Sequence, residues 1–290
     1  MNMKTRKNIN RAFGRTASDS SFSSPRFRRG GKENPGFARA KARQKQKSPA
    51  LAERARTGID GLDKMLHGGL IRGRNTLLSG PCGSGKTTLA VQFVYNGIIK
   101  DGEPGLYVTL EENKHKIMDD MLKLGLDLRT AEKSGKFHII GGPMGHLTSQ
   151  MAKVDAKMKD LVAEIEEVVK ANKIKRVAVD SINLFTMLAK DDSERRIALA
   201  ELGNCLSSLG CTSLLLSETK ENTMDLSRYG LEEFIVDGVI VLYLVRQDSA
   251  FVPGLVVRKI RGSSHDREIR VYQITDKGIV VYPDERMFTG

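Results

Sequence analysis

Residues Gly80–Thr87 read Gly-Pro-Cys-Gly-Ser-Gly-Lys-Thr, and the flanking sequence narrows what can hold them. The preceding run Thr76-Leu77-Leu78-Ser79 has the signature of a buried strand. The following run Thr87-Thr88-Leu89-Ala90-Val91-Gln92-Phe93 begins an amphipathic helix. A glycine-rich turn between strand and helix lets backbone N–H groups close around an anion, and the helix N-terminus adds a field that favours negative charge. In that setting Lys86 is expected to reach the β- and γ-phosphates of a nucleotide, and the Thr87 hydroxyl to ligate magnesium. The candidate nucleotide-binding set is Gly80, Pro81, Cys82, Gly83, Ser84, Gly85, Lys86, Thr87 and Thr88, with ATP and Mg2+ as the expected ligands. An ordinary glycine turn has no need of Lys-Thr at the helix start.

A phosphate loop alone does not define a reaction, so the acidic residues matter. Arg176-Val177-Ala178-Val179-Asp180 is an apolar strand ending in one carboxylate, the arrangement that holds magnesium from the far side through water. Ser181 follows it, not Glu, so the carboxylate that orients water must come from elsewhere. Glu111 and Glu112, at the end of Leu106-Tyr107-Val108-Thr109-Leu110, are the candidates. A solvated helix start also favours such acids, and that is the plainer reading of the pair taken alone. A glutamate on the strand after the loop helix, with Asp-Ser on the magnesium strand, points to a RecA-type core.

From Thr57 onward, short β-branched or apolar runs alternate with longer helical patterns. This predicts an α/β fold whose mostly parallel sheet is flanked by helices. Strands are expected near Asn75–Ser79, Gly105–Leu110, Phe137–Ile140, Arg176–Asp180, Thr212–Ser217 and Gly238–Val245. Helices are expected over Lys86–Lys100, Lys114–Leu124, Val154–Ala171 and Ser193–Leu209. Leu255–Arg261, Arg270–Thr275 and Ile279–Tyr282 read as a C-terminal antiparallel extension with turns at Gly262 and Lys277-Gly278. No internal repeat is visible, and residues 57–290 are expected to form one ATPase domain.

Residues 1–56 differ in kind. They carry 16 of the 47 Lys and Arg residues but 3 of the 35 Asp and Glu residues, so the net charge of +12 belongs to this segment. Rich in Ser, Gly, Arg, Lys, Asn and Gln, it cannot bury enough apolar surface to offset its ordering entropy and is expected to be disordered. Two readings stand: a tether for nucleic acid or an acidic protein, and a solubilising tail. Its aromatic residues, Phe13, Phe22, Phe27 and Phe37, are too few to argue strongly for base stacking. No stretch approaches the ~18 to 20 apolar residues that span a bilayer, and the polar N-terminus lacks a secretory signal core. A cytoplasmic location with no membrane partner is the expectation. Cys82, Cys205 and Cys211 have no paired spacing, which argues against a disulfide framework or a zinc site.

Over Thr57 to Pro283 the sequence resembles the KaiC family, single-domain relatives of the cyanobacterial clock ATPase within the RecA superfamily. The stretches that carry the resemblance are Thr57-Gly58-Ile59-Asp60-Gly61-Leu62-Asp63, His67-Gly68-Gly69-Leu70, the phosphate loop, Gln92-Phe93-Val94-Tyr95-Asn96-Gly97 and Val108-Thr109-Leu110-Glu111-Glu112. They continue through Arg228-Tyr229-Gly230-Leu231-Glu232-Glu233-Phe234 and Lys259-Ile260-Arg261-Gly262-Ser263-Ser264-His265. The resemblance implies a homohexameric ring with ATP at subunit interfaces, hydrolysis assisted by the glutamate pair, and a Lys-x-Arg strand that reaches the γ-phosphate of the neighbouring subunit. Lys259 and Arg261 occupy that pattern. Their i, i+2 spacing puts both side chains on one strand face, compatible with one shared anion or with two solvated edge cations. The family pattern places a histidine where His265 stands, near the interface; alone in a turn, such a residue is more often structural. Glu232-Glu233-Phe234-Ile235-Val236-Asp237 lacks the adjacent Ser-Thr pair that the clock protein's second domain carries, which argues against autophosphorylation there.

The functional expectation is a slow ATPase whose nucleotide state controls ring assembly or a signalling partner. The alternative is a RecA- or RadA-like DNA-binding recombination or repair accessory that uses the basic tail. The polar segment Ser217 to Tyr229, with Lys220, Glu221, Asn222 and Arg228, corresponds to the DNA-facing loop of RecA-like recombinases, but its charges nearly cancel.

Overall fold

The computed structural model describes residues 52–142, 154–187, 189–220 and 225–287. In chain order the strands are β1 (Arg54–Ala55), β2 (Leu70–Ile71), β3 (Asn75–Gly80), β4 (Gly105–Thr109), β5 (Phe137–Gly141), β6 (Arg176–Asp180), β7 (Thr212–Glu218), β8 (Gly238–Gln247), β9 (Ala250–Ile260), β10 (Arg270–Thr275) and β11 (Gly278–Arg286). The helices are α1 (Asp60–Met65), α2 (Lys86–Asp101), α3 (Lys114–Lys123), α4 (Leu128–Lys133), α5 (Val154–Asn172), α6 (Asn183–Met187), α7 (Asp192–Ser208) and α8 (Glu232–Ile235).

Among the described residues, nine strands form one sheet in the order β11-β10-β9-β8-β3-β7-β6-β4-β5. The six from β5 to β8 run parallel, and β9 to β11 extend the sheet antiparallel. Period-two alternation sorts the strand residues to opposite faces. Leu78, Tyr107, Ala178, Leu214, Leu216, Ile240 and Leu242 pack toward α2. Leu77, Leu106, Val108, Val177, Val179, Leu215, Val239 and Val241 pack toward α5 and α7. Both faces are covered, so the strands read as continuous apolar runs, as buried parallel strands do. Three helix starts are capped by side chains: Asn113 accepts from His115 N, Asp127 from Thr130 N, and Asp191 from Ser193 N and Glu194 N.

The α/β core and the antiparallel extension agree with the sequence pattern, while several lengths differ. β9 begins at Ala250 and not at Leu255, and β8 runs on to Gln247. The expected strands end at Val245 and resume at Leu255, leaving Arg246–Gly254 between them. Instead, a tight turn with Asp248 at φ 52° joins two long paired strands, and Pro253 lies beyond the short stretch where β9 meets β10. Strand pairing also reaches back before Thr57, because Arg54 and Ala55 pair with Ile71 and Leu70. Residues 1–51, and Glu221 and Asn222 of the polar loop, lie outside the described residues. No helix among the described residues is long and apolar enough to cross a membrane.

The amino edge of the sheet is anchored by Arg176, which is fully buried. It donates to Glu103 Oε2 and Asp101 Oδ2, each at 2.7 Å, and to the carbonyls of Arg56 and Phe93 at 2.6 and 3.1 Å. Its guanidinium also lies 4.9 Å from the Phe93 ring centroid. Gly97 makes room for it, since a Cβ there would come within 2.2 Å of Arg176 Cδ. Without Arg176, Asp101 and Glu103 would keep Arg56 and Arg72 at 2.8 and 2.6 Å, but its charged hydrogen bonds and the donor to the Arg56 carbonyl would be lost. Arg176→Met is therefore expected to destabilise the fold by about 1.5–3 kcal/mol, read as a lowered urea midpoint.

Candidate nucleotide site

The carboxyl ends of β3, β4, β6 and β7 lie side by side, where ligands bind in open α/β sheets. Cross-strand register sets Gly80 opposite Glu218 and Thr109 opposite Asp180. Between these ends and the start of α2 lies a cleft of about 400 Å3, lined by Cys82, Gly83, Gly85, Lys86, Thr87, Thr88, Thr109, Glu111, Glu112, Asp180, Ser181, Glu218 and Ile274. The loop bends through two left-handed glycines, Gly83 at φ 76° and Gly85 at φ 83°. Ser84 ties it internally by donating from N and Oγ to Pro81 O at 3.3 and 2.8 Å.

Lys86 Nζ donates to the Gly80 and Pro81 carbonyls, both at 2.9 Å. Burial lowers its pKa, and Glu218, then Asp180, Cys82 and Glu111, oppose that shift. Thr87 Oγ1 donates to Asp180 Oδ2 at 2.7 Å, and Tyr107 OH donates to the same oxygen at 2.6 Å. Burial raises the Asp180 pKa against these two donors, and burial first, then Asp180 itself, holds the Tyr107 phenol well above its ordinary range. The Asp180–Ser181 peptide is cis.

The two glutamates part company. Glu111 Oε1 accepts from Ser181 Oγ at 2.5 Å, which directs it to the end of β6. Glu112 forms an ion pair with Lys116 at 2.9 Å on the first turn of α3. Both line the cleft, yet only Glu111 is tied to the neighbouring strand.

Lys259 and Arg261 stand elsewhere. Lys259 Nζ donates to the Glu233 and Val236 carbonyls at 2.8 and 2.7 Å, and Arg261 to the Phe234 carbonyl at 3.1 Å, so both gather around α8. Asp237, whose carbonyl accepts from Arg261 N, itself donates from N to Asn75 O at the opposite end of β3. That end lies roughly 17 Å from Gly80 at ~3.3 Å per strand residue. Beside Lys259 and Arg261, Phe234 is 65% exposed. His265 does not line the cleft, and among the described residues neither of its ring nitrogens has a hydrogen-bond partner. Cys82 is exposed in the cleft and Cys211 is buried, which pushes its thiol up to about 11. No metal-type cluster of His, Cys, Asp and Glu occurs among the described residues.

Sequence reasoning passed over several contributors. Glu218 ends an apolar strand as Asp180 does, and that signal was readable. Tyr107 read as ordinary core. The bracing from the far end of the chain had no local signal: Tyr272 OH donates to Ser84 O, and Gln92 exchanges hydrogen bonds with both Ile279 N and Ile279 O, at 2.7 and 3.2 Å. Together they seat the β10–β11 hairpin against the loop and α2.

A family model described as "ATPase: KaiC" matches residues 55–286. The chain belongs to the KaiC ATPase family. Among its relatives, a UPF0273 protein of Thermotoga maritima is 37% identical over 241 residues, covering 81% of this chain and 98% of the relative. A UPF0273 protein of Aeropyrum pernix is 35% identical over 246 residues, covering 83% and 98%. The circadian clock oscillator protein KaiC of Synechococcus elongatus is 35% identical over 231 residues, covering 79% of this chain but 44% of its own length. This KaiC-family chain is thus similar in extent to the UPF0273 proteins and matches under half of the clock protein.

Within the phosphate loop of this KaiC-family chain, Gly85 has little room to change. A side chain there would sit at positive φ and bring Cβ within 2.8 Å of Ile274 Cδ1. Gly85→Ala is expected to cost at least about 1–2 kcal/mol from the backbone alone, seen as a lower thermal midpoint.

Proposed function

We propose that this KaiC-family protein is a slow ATPase that takes Mg·ATP into the cleft at Gly80–Thr87 and uses nucleotide state to control assembly of a homohexameric ring, and through it a signalling or regulatory partner. The observation that carries the reading is the gathering of Lys86, Thr87, Glu111 and Asp180 around one cleft while Lys259 and Arg261 lie at the other end of the sheet. Thr87 and Asp180 offer the hard oxygen donors that magnesium takes. The two left-handed glycines leave the loop backbone without side chains that would block an anion. Mg2+ held there by Thr87 and Asp180 would supply positive charge that offsets the negative charge building during phosphoryl transfer.

The residue roles follow from position. Lys86 exchanges its carbonyl partners for phosphate oxygens. Thr87 goes on donating its hydroxyl hydrogen bond to Asp180 and turns a lone pair outward, so the pair acts as one unit. Glu111, steadied by Ser181, orients the attacking water and accepts its proton. Glu112, held by Lys116, shapes the rim and has the smaller role. Lys259 and Arg261 lie too far from their own cleft, so they serve the cleft of an adjacent copy, with Arg261 stabilising transition-state charge in trans.

A second reading rests on the charge of residues 1–56, where 16 basic residues face 3 acidic ones. On that reading the tail grips nucleic acid, and the ATPase domain that follows acts as a DNA-dependent recombination or repair accessory. Gel filtration and ATPase assays, each with and without ATP and single-stranded DNA, separate the two. ATP-dependent assembly with turnover indifferent to DNA favours the first; salt-sensitive stimulation by DNA favours the second.

Glu111→Gln is expected to keep ATP binding and lose turnover by about 100-fold or more, with Glu112→Gln losing much less. Full activity in Glu111→Gln would remove it as the base. Lys86→Ala should abolish binding, and Arg261→Ala should bind ATP but turn over about 1,000-fold more slowly. Mixing these two inactive chains should restore activity if Arg261 works in trans, because an intact cleft then meets an intact arginine.

A further inference from the structure

Tyr107 lies in the middle of β4 with no exposed surface, flanked by Leu106 and Val108. A phenol in such a strand is unfavourable unless its hydroxyl is satisfied. The partner it finds is Asp180 Oδ2, the same oxygen that accepts from Thr87. Strand register explains the reach. Tyr107 stands opposite Ala178 on β6, and Asp180 lies two residues further along on the same face of the sheet. The phenol therefore reaches along β6 past a methyl side chain. Phenylalanine would fill the same core volume, so the hydroxyl is what tyrosine adds at this position.

Two hydroxyl donors from two different elements meet on one carboxylate oxygen. Thr87 comes from the start of α2 and Tyr107 from β4, so the Asp180 carboxylate is tied to two elements through one oxygen. Among the described residues Asp180 Oδ1 has no protein hydrogen bond, which leaves it for the water shell of a divalent cation. We propose that Tyr107 is a positioning residue for the cation site: it fixes the Asp180 carboxylate so that Oδ2 stays with Thr87 and Oδ1 stays available. The proposal rests on the Mg·nucleotide reading above. Tyr107 touches neither phosphate nor metal in this scheme and acts only through Asp180.

The test uses the full-length chain, a non-hydrolysable ATP analogue, and Mn2+ as a paramagnetic probe. Mn2+ affinity of the protein–analogue complex is titrated by electron paramagnetic resonance, and analogue binding is measured separately in EDTA. In Tyr107→Phe, Mn2+ affinity is expected to fall about tenfold, the scale on which removal of a partner of a metal ligand acts, while analogue binding in EDTA stays within about twofold. Ala178→Val keeps the hydroxyl but crowds its path, and should weaken Mn2+ in the same direction. Unchanged Mn2+ affinity in Tyr107→Phe overturns the inference, as does an equal loss of analogue binding with and without metal. A Tyr107→Phe chain that loses its circular dichroism spectrum would make the hydroxyl a folding requirement and also overturn it. If the unmodified protein takes no analogue, the nucleotide reading falls first and this inference falls with it.

Discussion

The parallel register of four strand ends governs the rest of this molecule. Because β3 lies beside β7, β7 beside β6, and β6 beside β4, their last residues reach one edge together. Each strand contributes a different chemistry there: a glycine loop after β3, carboxylates at Asp180 and Glu218, and Glu111 just past β4. A one-residue slip of β6 would turn Asp180 to the opposite face, away from Thr87 and Tyr107. The apolar alternation on both faces is what forbids that slip, since the apolar residues of these strands are already committed to one of two cores.

Cost and compensation are unevenly distributed across the sheet. At the carboxyl edge, Lys86 and Asp180 are ionisable groups kept in surroundings that disfavour their charged forms, and each carries a shift in the corresponding direction. At the amino edge, Arg176 is fully buried but meets two carboxylates, two carbonyls and an aromatic ring. The amino edge is a finished network. Sites that act on ligands commonly keep such unrelieved polarity, and here it sits where the family's phosphate loop lies.

Much of this was legible in the sequence. The six parallel strands announced themselves as apolar runs, and Lys86, Thr87, Asp180 and Glu111 line one cleft, as their places at strand and helix ends required. The parting of Glu111 from Glu112 was less legible. Adjacent residues past a strand end share no face, and their separate partners, Ser181 and Lys116, depend on tertiary placement and on the α3 register. Tyr107 was invisible for another reason: its importance lies in being opposite Ala178, and one chain read alone does not reveal cross-strand register. The long β8–β9 ribbon was masked by Pro253 and Gly254, whose local preferences yielded to continuous pairing with Leu244 and Tyr243.

The bracing of the phosphate loop by the C-terminal hairpin has a consequence in time. Ser84 and Tyr272 meet across 188 residues, and Gln92 and Ile279 across 187. The loop is thus encoded 188 residues ahead of the tyrosine that braces it. On the ribosome, the strand, glycines and lysine emerge early and must wait, because contacts so distant in sequence close only after everything between them has been made. The anion cradle is synthesised well before the residues that brace it, so a nascent chain carries the motif well before it has the site.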